Sequence, residues 1–155
     1  MAAAVGDPIR ELSSEVPAVN LPDGFSGLKV ALPGVLAISG GKYNDGSDIK
    51  TLTESLLGQR DKLEGFPWIL IVDDSEFVSR TFNNFLWVVF TRTNPSHDLH
   101  GVGEFIENKH WGCSVSLVFD ARIKPHHAPE LIKDSAIEAK VDALGVKGSS
   151  LHGVI

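Results

Sequence analysis

One cysteine, Cys113, stands in 155 residues. That excludes an internal disulfide and any zinc site built from several thiolates, and it fits a reducing, cytoplasmic setting. Long apolar runs are also missing. The longest, 68–72 and 85–90, have five and six residues, against the roughly 20 that a bilayer-spanning helix needs. Met1-Ala2-Ala3-Ala4-Val5 has neither the basic start nor the sustained apolar stretch of a secretory signal. Positive charge is scarce: 14 Lys and Arg face 20 Asp and Glu, for a formal net charge of −6, with no basic block. Nucleic acid is therefore not an expected partner.

What is present is ordinary for a soluble globular domain: 43% hydrophobic and 22% charged residues. Residues 1–27 carry Pro8, Pro17, Pro22, Gly24 and Gly27 in a weakly periodic segment, expected as a leader or linker. Residues 28–155 are expected as a single domain, since 155 residues match one domain by size. Short strands are predicted at 28–32 and 35–39, parted by the turn pair Pro33-Gly34. A turn-rich loop, 40–46, then leads to a helix over 47–64, with Ser47 as cap and Asp48 in its first turn.

The chain is organised around 68–95. Trp68 to Val72 is an unbroken apolar run ending in the acidic pair Asp73-Asp74. Phe82, Phe85, Leu86, Val89 and Phe90 then follow at i, i+3, i+4, i+7 and i+8, the period of one core-facing helix face. This predicts a buried strand feeding a helix over 79–92 that stops before Pro95. Residues 96–113 read as a polar, histidine-rich loop with one helical turn near Phe105. Residues 114–119 alternate as a strand. Ser135 and Glu138 give a capping-box pattern for a last helix with Ile137, Val141 and Leu144 on its apolar face and Gly145 as its stop. The order of elements predicts an α/β fold bordering on α+β, a small mixed sheet with a parallel βαβαβ core and helices packed on it.

Several constellations are candidates for chemistry. Asp73 and Asp74 at a strand's C-terminal end are placed where open α/β sheets bind ligands, and offer oxygens to Mg²⁺. Arg92 near a helix end can pair with Asp73, Asp74 or Asp120 in fork geometry. His97, His100, His110, His126 and His127 are metal-ligand types on loops, without a readable supporting pattern. The loop of Gly40, Gly41 and Lys42 lacks the phosphate-loop spacing and reads as a turn. Cys113 reads as a packing residue. Trp87, Phe105 and Trp111 are candidates for an interface core.

Residues 69–75 resemble the start of a response-regulator receiver domain, and 117–125 resemble its phosphoacceptor strand. That resemblance implies a signalling domain using Asp73, Asp74 and Asp120. Only 35 residues follow Asp120, too few for the units that complete that family's domain.

A second resemblance covers more of the chain, about 35–145. Three ordered motifs carry it: the hydrophobic strand into Asp73-Asp74, the turn Thr91-Arg92-Thr93-Asn94-Pro95 after a Leu86-Trp87 pair, and the strand ending in Asp120-Ala121 with Lys124 nearby. Together these resemble the C-terminal domain of the UbiD family of carboxy-lyases, with Arg122 and Ile123 departing from its commoner choices. The resemblance implies a non-oxidative decarboxylase of aromatic or unsaturated acids. It also implies prenylated FMN with a divalent metal and potassium for the complete enzyme, held by another domain. No catalytic, cofactor or metal residue carries over, and the chain alone is expected to be inactive. Asp73, Asp74, Thr91, Arg92, Asn94, Pro95, Asp120 and Lys124 match as motif positions. The implied partners are a second copy of the chain and the flavin-binding domain. A small binding module using the 96–113 loop is a third reading.

Overall fold

The computed structural model describes residues 11–128 and 134–154. Residues 1–10 of the expected leader, and Pro129 of the loop after the histidine pair, lie outside the described residues. The contacts divide the chain into two compact units, one up to Pro125 and one from His126.

The first unit is built on a five-stranded mixed sheet. Its strands are β1 (Phe25–Leu32), β2 (Val35–Gly40), β3 (Trp68–Val72), β4 (Leu99–Gly101) and β7 (Leu117–Asp120), in the order β1-β2-β3-β7-β4. The three central strands, β2, β3 and β7, are parallel, while β1 and β4 pair antiparallel at the edges. This is the expected α/β class with its parallel core.

Alternation along the strands explains why their runs are apolar without interruption. Leu36, Ile38, Ile69, Ile71 and Val118 face one side, where α1 (Asp48–Leu57) contributes Ile49, Leu52 and Leu56. Ala37, Leu70, Val72 and Ala121 face the other, against Val78 of α2 (Ser75–Arg80) and Phe85, Val88 and Val89 of α3 (Phe82–Arg92). A sheet covered by helices on both faces has no polar side to offer. Each fully buried Leu, Ile, Val or Phe contributes about 1.5–3 kcal/mol. Val19 and Leu21 of the expected leader pack against the first of these clusters, and Phe25 of that segment opens β1.

Four local expectations need correcting. The first helix ends at Leu57, followed by a 3-10 turn at Arg60–Lys62. Ser47 does not cap it by its side chain; its hydroxyl donates to Asp45 Oδ1 at 2.6 Å. The helix predicted over 79–92 is two helices. Thr81, extended at φ −146° and ψ 153°, breaks the chain between them and caps α3 by accepting from the Asn84 N–H. The buried face of α3 is Phe85, Val88 and Val89, so Phe82 and Phe90, expected on that face, are exposed, at 56% and 79%. Finally, 96–113 is not a loop with a helical turn. It contains β4 and a separate hairpin of β5 (Glu104–Glu107) and β6 (His110–Cys113).

In the second unit, α4 (Ser135–Gly145) is capped by Asp134, whose carboxylate accepts from the Ala136 and Ile137 N–H groups. The cap lies one residue before the predicted Ser135. No residue of α4 is buried.

Candidate functional site

The C-terminal ends of β2, β3 and β7 converge, as expected of an open α/β sheet. Arg122, immediately after β7, occupies the point of convergence and is fully buried. Its Nε and Nη2 donate to the two oxygens of Asp120 at 2.9 and 2.8 Å. Nη1 and Nη2 donate to the Asp48 carboxylate at 2.6 and 2.9 Å, and Nη1 also reaches the Gly41 carbonyl at 3.1 Å. A guanidinium has five N–H donors. All five are used here. Burial favours loss of the charge, but the hydrogen bonds and attraction of Asp120 and Asp48 outweigh it and hold the guanidinium above its usual range. Gly40 makes room for it: a Cβ there would meet Ile71 Cγ2 at 2.9 Å and Arg122 Cδ at 3.0 Å.

A second buried cation lies beside the first. Lys124 Nζ donates to the Asp120 carbonyl at 2.6 Å and pairs with Asp98 at 3.3 Å. It also reaches the carbonyls of Arg92 and Arg122, each at 3.3 Å. Asp98 in turn accepts from the Asn94 N–H at 2.7 Å, so it fixes the turn after α3. Tyr43, from the 40–46 loop, lies over both cations, its ring centre 5.5 Å from the guanidinium carbon and 5.4 Å from Nζ.

The acidic pair is split between two jobs. Asp73 Oδ2 accepts from Arg92 Nη1 at 2.8 Å and from the Ile123 N–H at 2.9 Å. Asp74 caps α2 by accepting from the Phe77 N–H. The Arg92–Asp73 contact is made through one guanidinium nitrogen, not the fork. Asn94 Oδ1 accepts from Ser96 in a local turn, and Thr91 donates back to the Trp87 carbonyl. Pro95 is exposed in that turn.

Asp120, Lys124, Arg92 and Asp73 are thus joined in one network across the strand ends, while Asp74, Thr91 and Pro95 serve local structure. Arg122, Asp48 and Asp98, which complete the network, are not among the motif positions. Only the chain order Asp120-Ala121-Arg122 hints at an arginine folding back on its own strand's carboxylate. Among the described residues no group of three or more His, Cys, Asp or Glu is placed to hold a metal ion. With the Arg122 donors saturated and Asp120 bound by Arg122 on both oxygens, these side chains do not fit a flavin phosphate or a metal. The same engagement leaves the receiver alternative without support, because a phosphoacceptor carboxylate needs a free oxygen.

Among the described residues no helix is long and apolar enough to cross a membrane. No protein-family model matches the chain. It is 28% identical over 139 residues to an uncharacterized protein of Chlamydia muridarum, covering 90% of this chain and 23% of that one. It is 31% identical over 88 residues to a 4-hydroxybenzoate decarboxylase subunit of Chlamydia pneumoniae, covering 57% of this chain and 15% of that one. A solved structure of Sedimentibacter hydroxybenzoicus vanillic acid decarboxylase in open form overlaps 72% of this chain and 27% of that one, at 19% identity and a TM-score of 0.43. The chain therefore spans about a quarter or less of these relatives' length.

Proposed function

We propose that this chain is a C-terminal, non-catalytic domain of a UbiD-type decarboxylase acting on aromatic or unsaturated carboxylic acids. In this reading it closes one side of the active-site cleft and takes part in the oligomer. Its partners are the flavin-binding part of the enzyme and further copies of itself. The observation that carries the reading is the 31% identity to the 4-hydroxybenzoate decarboxylase subunit of Chlamydia pneumoniae. The ordered motifs at Asp73-Asp74, Thr91 to Pro95 and Asp120-Ala121 support it.

Prenylated FMN with its divalent metal and potassium would supply the decarboxylation chemistry, held by the flavin-binding part. This chain's residues shape and brace. Arg122 and Lys124 tie the end of β7 and the Gly41 carbonyl just past β2 to Asp48 and Asp98, and so hold these strand ends and the adjoining 40–46 loop as one rigid wall.

The test is a domain replacement. The corresponding segment of the Chlamydia pneumoniae protein is exchanged for this chain, and release of CO₂ from 4-hydroxybenzoate is followed with prenylated FMN, divalent metal and potassium. The expected result is an active chimera and an inactive isolated chain. Release of CO₂ by the isolated chain would refute the non-catalytic role, and a folded but inactive chimera would refute the family assignment.

A further inference from the structure

A protonated lysine has three N–H donors and no acceptor. Lys124 is met by more oxygens than that. Its side chain is 1% exposed, and among the described residues at least four oxygens stand within 3.3 Å of Nζ. They are the Asp120 carbonyl at 2.6 Å, the Arg92 and Arg122 carbonyls at 3.3 Å, and Asp98 Oδ2 at 3.3 Å. Asp120 Oδ1 stands behind them at 4.0 Å, and the Tyr43 ring centre lies 5.4 Å away. With oxygens in excess of hydrogens, the ammonium is held as a compact point charge in an oxygen shell, not by three directed bonds.

The shell is assembled from separate elements. Arg92 is the last residue of α3, so its carbonyl belongs to the negative end of that helix, where a cation is favoured. Asp120 ends β7, while Asp98 precedes β4 and accepts from the Asn94 N–H at 2.7 Å. Carbonyl and carboxylate oxygens are the ligands of hard cations. Distance selects among such ions. Mg²⁺ demands oxygens at about 2.0–2.1 Å and Ca²⁺ at about 2.3–2.6 Å, whereas three of these four contacts are 3.3 Å. Charge agrees with a larger, singly charged ion. Both oxygens of Asp120 are already bound by Arg122, which leaves Asp98 as the carboxylate for Lys124 to balance.

We infer that Lys124 acts as a tethered monovalent cation, and that the oxygens around Nζ form a cradle that takes ammonium or potassium when the side chain is cut back. The charge joins the end of α3 to β7 and to the start of β4, and the aliphatic stem is the tether. A tethered group has a high effective concentration at its own site. The native chain is therefore indifferent to which cation is dissolved around it.

Thermal melts of the full chain in the chlorides of ammonium, potassium, magnesium and tetramethylammonium, all at an ionic strength of about 0.5 M, test this. The wild-type differences among these salts set the baseline. Lys124→Ala should melt below the wild type in each. In ammonium or potassium it should regain at least about 3 °C over tetramethylammonium beyond that baseline, as a ligand bound only by the folded state requires. Magnesium should give no such gain. Adding Asp98→Asn to Lys124→Ala should remove it. If Lys124→Ala is unfolded in tetramethylammonium, recovery of its helical circular dichroism in ammonium or potassium takes the place of the melt. An absence of gain in both ions, unfolding in every salt, an equal gain in magnesium, or a gain that survives Asp98→Asn overturns the cradle.

Discussion

Arg122 and Arg92 both pair with carboxylates, yet burial makes them different energetic objects. The Arg122 side chain is fully buried and Asp120 is 2% exposed, whereas Arg92 and Asp73 retain 16% and 33%. Removing one member of a buried pair leaves the other charge stranded. Arg122→Met is therefore expected to destabilise by about 3–5 kcal/mol, since Asp120 keeps its burial, loses both guanidinium hydrogen bonds and retains only the more distant Lys124 at 4.0 Å. Arg92→Met is expected to cost about 1 kcal/mol, a hydrogen-bonded contact near solvent. Urea denaturation of both variants checks the ranking, and equal losses would defeat it. Cys113 gives a second contrast. Burial, aided by the nearby Glu104 charge, pushes its thiol above the ordinary range. The thiolate is the nucleophile. Alkylation at neutral pH should therefore be slower in the native protein than in urea-unfolded chain, and the gap should narrow above about pH 9 as both thiols ionise. Equal rates at neutral pH would contradict the assignment. At this scale the sequence was readable where both partners belong to ordered motifs, as for Asp73 and Arg92, but not for Asp120, whose carboxylate is held by Arg122 instead of Arg92. It was silent on Asp48 and Asp98, because a carboxylate 74 residues from its arginine leaves no local trace.

Elements were legible in proportion to how much of their surface is buried. Trp68–Val72 could be read at once, because four of its five residues are buried and the run is correspondingly apolar. The break at Thr81 was not, since the apolar period begins only beyond it and the extended backbone angles alone reveal it. The β5–β6 hairpin was missed for the opposite reason: β5 is exposed throughout, so no inward–outward alternation marks it. Its two-residue loop, Asn108-Lys109, has φ values of 49° and 67°. Both central residues positive is the type I′ turn, which favours Asn-Gly. Lysine in the left-handed region is strained by about 1 kcal/mol. Lys109→Gly should therefore steady the hairpin by about 0.5–1 kcal/mol, offset partly by glycine's freedom in the unfolded chain. The gain belongs to the hairpin and should appear as slower amide exchange at Phe105 and Trp111, with little movement of the global melt. Faster exchange there would show that Lys109 makes a contact worth more than the strain.

The whole molecule follows from one arithmetic fact: every buried apolar residue of both core clusters lies at or before Ala121. Among the described residues all seven strands and the arginine–lysine network are likewise complete by Lys124. The fold class was readable because strand, helix and strand recur in an order that right-handed crossovers turn into a parallel sheet. The division at Pro125 was not, since α4 has a helical apolar period like any core helix, yet none of its residues is buried. An apolar period reports a face that can be covered; what covers it is not written in the same segment. A chain ending at Pro125 should therefore keep the cooperative unfolding of the first unit. Its melting temperature should stay within about 3 °C of the full chain, equivalent to less than about 1 kcal/mol for a protein of this size. Its circular dichroism should lose only the helical signal of α4. A fall of more than about 10 °C, or loss of a single sharp transition, would mean that residues after Pro125 carry stability that the buried clusters do not.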